Sequence, residues 1–229
     1  RRAGYLCIGS VAVKICEEVR IPWIRTLSLS RFAKKCGFHG YREFIYQYEK
    51  TFVEKSEIVV NSTKMVLNTY QELLNKTYSL MNEAQIARIV RDMYAVDRVV
   101  ACGKGSSGLA ASEMENRFMR IGIDIDSLQD SDRMKMQAVF HNSRTMACGF
   151  SISGETEEIL FFLQEAYRRG AKTILFTAND KDSYADFCTE VVLVASRKHL
   201  NHGNVISPQY PFLVMMDIIY NNYIVHERY

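Results

Sequence analysis

From Arg98 onward, short runs rich in β-branched and apolar residues alternate with stretches of helical spacing, and few arrangements satisfy that grammar. The runs are Arg98 to Cys102, Ile123 to Asp126, Thr145 to Phe150, Thr173 to Thr177 and Glu190 to Val194. Between them, Leu109 to Arg120, Arg133 to Phe140 and Glu157 to Arg169 repeat their apolar residues at helical intervals, and Gly170 sits where a helix C-terminus favours glycine. Strands separated by helices cannot pair as hairpins. They predict a doubly wound parallel sheet, an α/β fold that binds its ligands at the carboxyl ends of the strands.

Two of those strand-to-helix junctions carry chemistry. The loop Gly103-Lys104-Gly105-Ser106-Ser107-Gly108 follows an apolar strand and opens a helix, so backbone N–H groups and the positive end of the helix dipole face its occupant. Gly103 and Gly105 let the backbone come close to a phosphate, while Ser106 and Ser107 add hydroxyl donors; a plain tight turn is the competing reading. The pattern is an incomplete dinucleotide fingerprint, because Leu109 stands at the third glycine and only Asp124 or Asp126 could serve as its acidic partner. The second loop, Ser151-Ile152-Ser153-Gly154-Glu155-Thr156, places three hydroxyls and a glycine before the helix that starts at Glu157. One hydroxyl, from Ser153 or Thr156, is expected to cap that helix, with Glu157 or Glu158 favouring its dipole. Capping needs only one hydroxyl, and two such loops in one sheet can converge on a single phosphate.

Ahead of Arg98 only helical patterns occur: Val11 to Val19, Leu27 to Lys35, Tyr41 to Tyr48, Glu54 to Lys76 and Asn82 to Met93. The net charge of +3 conceals an asymmetry, for residues 1–50 hold ten Lys/Arg against four Asp/Glu while the remainder holds 19 against 22. The basic module favours a polyanionic partner, and the nearly neutral remainder suits a small molecule. The expected division is a helical unit over 1–50, connecting helices over 51–90 and a ligand-binding α/β domain over 91–229. With 229 residues, about half of them apolar, the chain has ample material for a core. It contains no apolar run of about 18 residues and no signal-like opening, so a cytoplasmic protein away from membranes is expected. Six cysteines without a C-x-x-C pair are expected as buried free thiols.

On the motifs G-x-G-x-S and S-x-S-G-x-T, the region from about residue 80 to 229 resembles the sugar isomerase (SIS) domain of glucosamine-phosphate synthases, hexulose-phosphate isomerases and bacterial RpiR-type transcription regulators. Arg117-Phe118-Met119-Arg120-Ile121-Gly122, Gly170-Ala171-Lys172 and Phe176-Thr177 extend the resemblance. It implies that Ser107, Ser151, Ser153 and Thr156 hold a sugar phosphate, assisted by Ser106 and by backbone amides at Gly103, Gly105 and Gly154. It also implies a homodimer and no cofactor. Ser28 to Phe44 in turn resembles the end of the RpiR-type helix-turn-helix. That likeness puts Leu27 to Lys35 in the major groove of an operator, with Arg25, Thr26, Ser28 and Arg31 near DNA and Lys34, Lys35 or Arg42 near its phosphates. Arg31 has the alternative role of tying the fold together beside Phe32. The turn Val19 to Ile24 is more apolar than the family's serine-led turn, and the sequence is expected to begin partway through that unit.

An isomerase of the same fold would need a base over the sugar, for which Glu113, Glu155, His199 and His202 are the candidates. The two histidines are expected in a solvent-facing loop, with sugar contact or catalysis as the alternative; their spacing suits metal ligands, but no cysteine or carboxylate cluster supports a metal site. A basic helix-turn-helix has no use in an isomerase, so a non-enzymatic, sugar-phosphate-sensing regulator of carbohydrate-metabolism genes is the expectation, ahead of an isomerase or an adaptor. Tyr210 to Tyr229 reads as packing, with Asp217 as a structural hydrogen-bonding group.

Overall fold

A computed structural model describes residues 26–196 and 205–227, which divide into two compact units, 1–62 and 63–229. In the first unit, α1 (Thr26–Lys35) is followed by the start of α2 (Tyr41–Leu80). The end of α1 is a Schellman turn: Gly37 N–H donates to the Lys34 carbonyl at 3.0 Å and Phe38 N–H to the Ala33 carbonyl at 3.1 Å. The apolar partner of that turn is an aromatic cluster, in which Phe32, Phe38, Tyr41 and Tyr48 all stack or pack edge-on against the ring of Phe44. At the next helix start, His39 N–H donates to the Glu43 carboxylate at 2.6 Å, which satisfies a donor the helix leaves free. The two helices read over Tyr41 to Tyr48 and Glu54 to Lys76 are one unbroken helix of 40 residues, since nothing between them breaks a helix.

The second unit is built on five parallel strands: β1 (Arg98–Gly103), β2 (Ile125–Leu128), β3 (Thr145–Phe150), β4 (Lys172–Thr177) and β5 (Glu190–Leu193). Their order is β2-β1-β3-β4-β5. The helices are α3 (Glu83–Ala95), α4 (Ser106–Met119), α5 (Ser131–Ala138), α6 (Glu157–Arg168) and α7 (Tyr210–Glu227), with a 3-10 turn at Asp182–Asp186. The central strands β3 and β4 are largely apolar and buried because both faces are covered. Val99, Ala101, Met146, Cys148, Ile174 and Phe176 face α3, α4 and α7; Val100, Cys102, Ala147 and Leu175 face α5 and α6. On the second face, Phe162 is fully buried, and its truncation to Ala costs about 3–5 kcal/mol. This is the doubly wound α/β arrangement that the alternation of runs and helices predicts.

Some expectations shift. β2 starts at Ile125 rather than Ile123, because Ile123 N–H donates to the Phe118 carbonyl and closes α4. Cys102, Cys148 and Cys188 are buried free thiols, whereas Cys36 is exposed at the end of α1. Asp217 pairs with Arg117, whose guanidinium lies over the Tyr220 ring, so its role is structural although its side chain is largely exposed. Val11 to Val19, Val19 to Ile24, Arg25, His199 and His202 lie outside the described residues. Among the described residues no helix is long and apolar enough to cross a membrane.

Candidate functional site

The strand order reverses at β1, where the chain crosses first to β2 on one side and then to β3 on the other. In open parallel sheets the crevice beyond such a switch point is where ligands sit. Here the two strands flanking the crevice, β1 and β3, pair in register from Arg98↔Thr145 to Gly103↔Phe150, and each ends in one of the two glycine-hydroxyl loops. The sheet therefore brings Gly103, Gly105, Ser106 and Ser107 alongside Ser151, Ser153, Gly154 and Thr156.

The loop after β3 is held by its own hydroxyls. Ser151 Oγ lies 2.9 Å from Thr156 Oγ1 and accepts from the Gly154 N–H at 3.1 Å. Ser153 Oγ is 3.5 Å from Ser151 Oγ and accepts from the Glu155 N–H at 3.2 Å. The segment after β4 supports this loop from outside: Asn179 Nδ2 donates to the Ser153 carbonyl at 2.9 Å, and the hydroxyl of Tyr184, in the 3-10 turn, to the Gly154 carbonyl at 3.1 Å. Gly154 has φ +65°, and a Cβ there would lie 2.0 Å from the Tyr184 hydroxyl, so only glycine fits. Thr156 occupies the N-cap of α6, but its hydroxyl makes no capping bond. The expected side-chain cap is thus absent, because Ser151 takes that hydroxyl and leaves the helix start open.

The loop after β1 is held by backbone packing. A Cβ on Gly103 would meet the Ser107 carbonyl oxygen at 2.4 Å, which is how closely the first turn of α4 lies on the strand end. Gly105 is the N-cap, with no side-chain cap, and the Ser106 and Ser107 hydroxyls, half-buried, meet no described partner. Two uncapped helix starts thus face one crevice, with hydroxyls from both loops beside it. Such a surface suits an anion with several acceptor oxygens.

Three further residues join the site that sequence reasoning passed over. The Lys104 ammonium donates to Ser131 Oγ at 2.6 Å and to Glu158 Oε1 at 2.7 Å, and Ser131 Oγ lies 3.1 Å from the same carboxylate oxygen. The hydrogen bond from Lys104, then the backbone N–H of Glu158 itself and Ser131, hold the Glu158 carboxyl down at about 2. A lysine at the variable position of a glycine loop was the available signal. Of the enzyme candidates, Glu155 is exposed and paired with Lys181 at 2.8 Å, and Glu113 lies partly exposed on α4. Among the described residues no group of three or more His, Cys, Asp or Glu could hold a metal.

In the helical unit, Arg31, Lys34 and Lys35 are exposed on α1, so Arg31 is not tied into the aromatic cluster. Thr26 and Ser28 lie in the first turn of the same helix.

Comparison with known proteins agrees with this architecture. An uncharacterised HTH-type transcriptional regulator of Haemophilus influenzae is 28% identical over 136 residues, 59% of this chain and 47% of that protein. A second such regulator, from Clostridium perfringens, is 24% identical over 209 residues, covering 86% of this chain and 75% of its own. The 3-hexulose-6-phosphate isomerase of Mycobacterium gastri is 28% identical over 126 residues, 55% of this chain and 61% of that enzyme. The chain spans about half the length of the Haemophilus relative. Among solved structures, the Vibrio vulnificus NanR protein complexed with ManNAc-6P aligns with a TM-score of 0.63 at 20% identity, covering 98% of this chain and 84% of that one. Residues 92–216, more than half of the sequence, match the SIS domain family, and the chain therefore belongs to that family.

Proposed function

We propose that this chain is a transcription regulator of the RpiR type, which senses a phosphorylated sugar in its SIS domain and binds an operator through its N-terminal helices. The observation that carries the sensing half is the placement of two uncapped, hydroxyl-lined helix starts on adjacent strands at the switch point of the sheet. Gly103, Gly105, Ser106, Ser107, Ser151, Ser153, Gly154 and Thr156 form the phosphosugar site. The DNA half is supported by the exposed basic residues of α1, by the charge asymmetry of the sequence and by the two regulator relatives. Arg25, Thr26, Ser28, Arg31, Lys34 and Lys35 are its DNA-facing residues. The division of labour follows 1–50 for DNA, 51–90 for connection and 91–229 for the sugar, in a cytoplasmic homodimer.

The sensing reading is tested by thermal-shift measurements with fructose 6-phosphate, glucose 6-phosphate and N-acetylmannosamine 6-phosphate against the unphosphorylated sugars, because a ligand of the native state raises Tm. Stabilisation by a phosphorylated sugar alone, lost in Ser153→Ala with only a small fall in the unliganded Tm, is the expected result. An unchanged response in that variant overturns the site. Electrophoretic mobility of promoter fragments with and without the stabilising sugar then tests the DNA half.

The isomerase relative favours a second reading, in which the same site moves a proton between adjacent carbons of the sugar. Interconversion of a ketose phosphate and its aldose by the purified chain, abolished in Glu113→Gln or Glu155→Gln, would establish it. No turnover is expected.

A further inference from the structure

The Lys104–Glu158–Ser131 knot joins the exits of three neighbouring strands. Lys104 lies in the loop after β1, Ser131 is the first residue of the helix after β2, and Glu158 sits in the first turn of the helix after β3. The knot therefore spans the same β1–β3 crevice that the two glycine loops flank. Glu158 is also placed where an anion belongs. Its carboxylate accepts from its own backbone N–H at the uncapped start of α6 and from the Lys104 ammonium at 2.7 Å. Those are the partners, an N-terminal amide and a cation, that a phosphate oxygen entering the crevice would seek. The pair is only partly buried, with 40% of the lysine side chain and 30% of the glutamate exposed, so separating it is inexpensive.

Resting on the phosphosugar reading above, we infer that Lys104 is a ligand-binding residue and that Glu158 is its built-in competitor, a carboxylate that holds the ammonium until the phosphate of the sugar displaces it. Lysine suits this exchange: its compact charge has three donors on a flexible stem, so it turns from one oxygen acceptor to another without moving the backbone. Ser131, which contacts both members, keeps the ammonium at the mouth of the crevice during the exchange. A dianionic phosphate outcompetes a single carboxylate for one ammonium, whereas an uncharged sugar does not. The knot thus makes the site selective for the phosphorylated form.

The two partners must then have opposite effects on affinity. Isothermal titration of the full chain with fructose 6-phosphate, glucose 6-phosphate and N-acetylmannosamine 6-phosphate, with inorganic phosphate alongside, reads this directly. Lys104→Met is expected to weaken binding about tenfold, the size of one lost charge-assisted hydrogen bond. Lys104→Arg restores most of it. Glu158→Gln is expected to tighten binding about threefold, and the neighbouring Glu157→Gln, exposed and without a contact to Lys104, to change it less than about twofold. The gain from Glu158→Gln disappears in the Lys104→Met background, because the competitor then has nothing to hold. If Lys104→Met and Glu158→Gln weaken binding equally, or if their effects simply add, the knot is a structural brace and the inference fails. The phosphosugar reading survives that outcome provided Ser153→Ala still abolishes binding. Absence of binding by the unmutated chain to every probe overturns both.

Discussion

In the loop after β3 all three hydroxyls are engaged within the loop, and a tyrosine and an asparagine brace it from the segment that follows β4. In the loop after β1 the two serine hydroxyls meet no described partner, and the shape comes from a glycine pressed against the following helical turn. The first is ordered before any ligand arrives, so little entropy remains to be lost on binding. Among the described residues, the second leaves its hydroxyl donors unengaged. One anion site is thus assembled from a preformed half and a responsive half, on strands that share a register.

Substitutions separate the halves. Gly103→Ala is expected to have the largest effect, on the order of 3 kcal/mol of stability, because its Cβ meets backbone that must shift the start of α4. Gly154→Ala is expected to lose about 2 kcal/mol, less because the obstructing Tyr184 hydroxyl is the end of a side chain. Urea unfolding measures both, and equal costs would erase the distinction between a backbone-built and a side-chain-built loop.

A control at the far end of the sheet touches neither half. His141, next to the start of β3, is buried with its ring against Phe162, and burial, then Arg169 and Arg98, lower its pKa from 6.5 to about 4. The folded protein therefore resists protonation that the unfolded chain accepts. Stability is whole above pH 6.5, falls as the pH drops toward about 4, and by about pH 5 has lost roughly 2 kcal/mol. His141→Gln should flatten that slope in urea midpoints measured across the window, and an unchanged slope would place the acid sensitivity elsewhere. Glu158 acts only lower, its contribution fading as pH falls from 4.5 toward about 2.

Smaller changes sharpen the contrast. Tyr184→Phe removes the hydrogen bond to the Gly154 carbonyl and should cost about 1 kcal/mol of stability together with a few-fold loss of sugar-phosphate affinity. Ser106→Ala should leave Tm unchanged and weaken binding about fivefold, since its hydroxyl meets no partner among the described residues. A fall in Tm for Ser106→Ala would show that the responsive half is braced after all.

Most of the sheet was legible because parallel strands buried on both faces are written as largely apolar runs; Thr145 to Phe150 is buried from end to end and apolar from Met146 onward. Boundaries slipped where polar residues sit inside helices. Ser106, Ser107 and Gly108 read as loop but form the first turn of α4, since apolar periodicity begins only at Leu109. Both glycine-hydroxyl loops were visible from composition and position. Their braces were not, because Tyr184, Asn179 and Ser131 lie 26 to 30 residues from the loop residues they contact, and spacing along the chain carries no sign of such pairs. For α2, two helical patterns divided by the five residues 49–53 look the same in sequence as one helix crossing them.

The pairing of β1 with β3 has a kinetic consequence. Arg98 and Thr145 are joined across a whole strand and two helices, so no local hairpin can bring them together early in folding. Non-local parallel pairings of this kind form slowly. The two halves of the anion site become neighbours only when that pairing closes, and a chain still searching for it has nothing for a sugar phosphate to grip. Appearance of binding during refolding would therefore time the central strand pairing, and newly made chains would become responsive to their ligand only after that step.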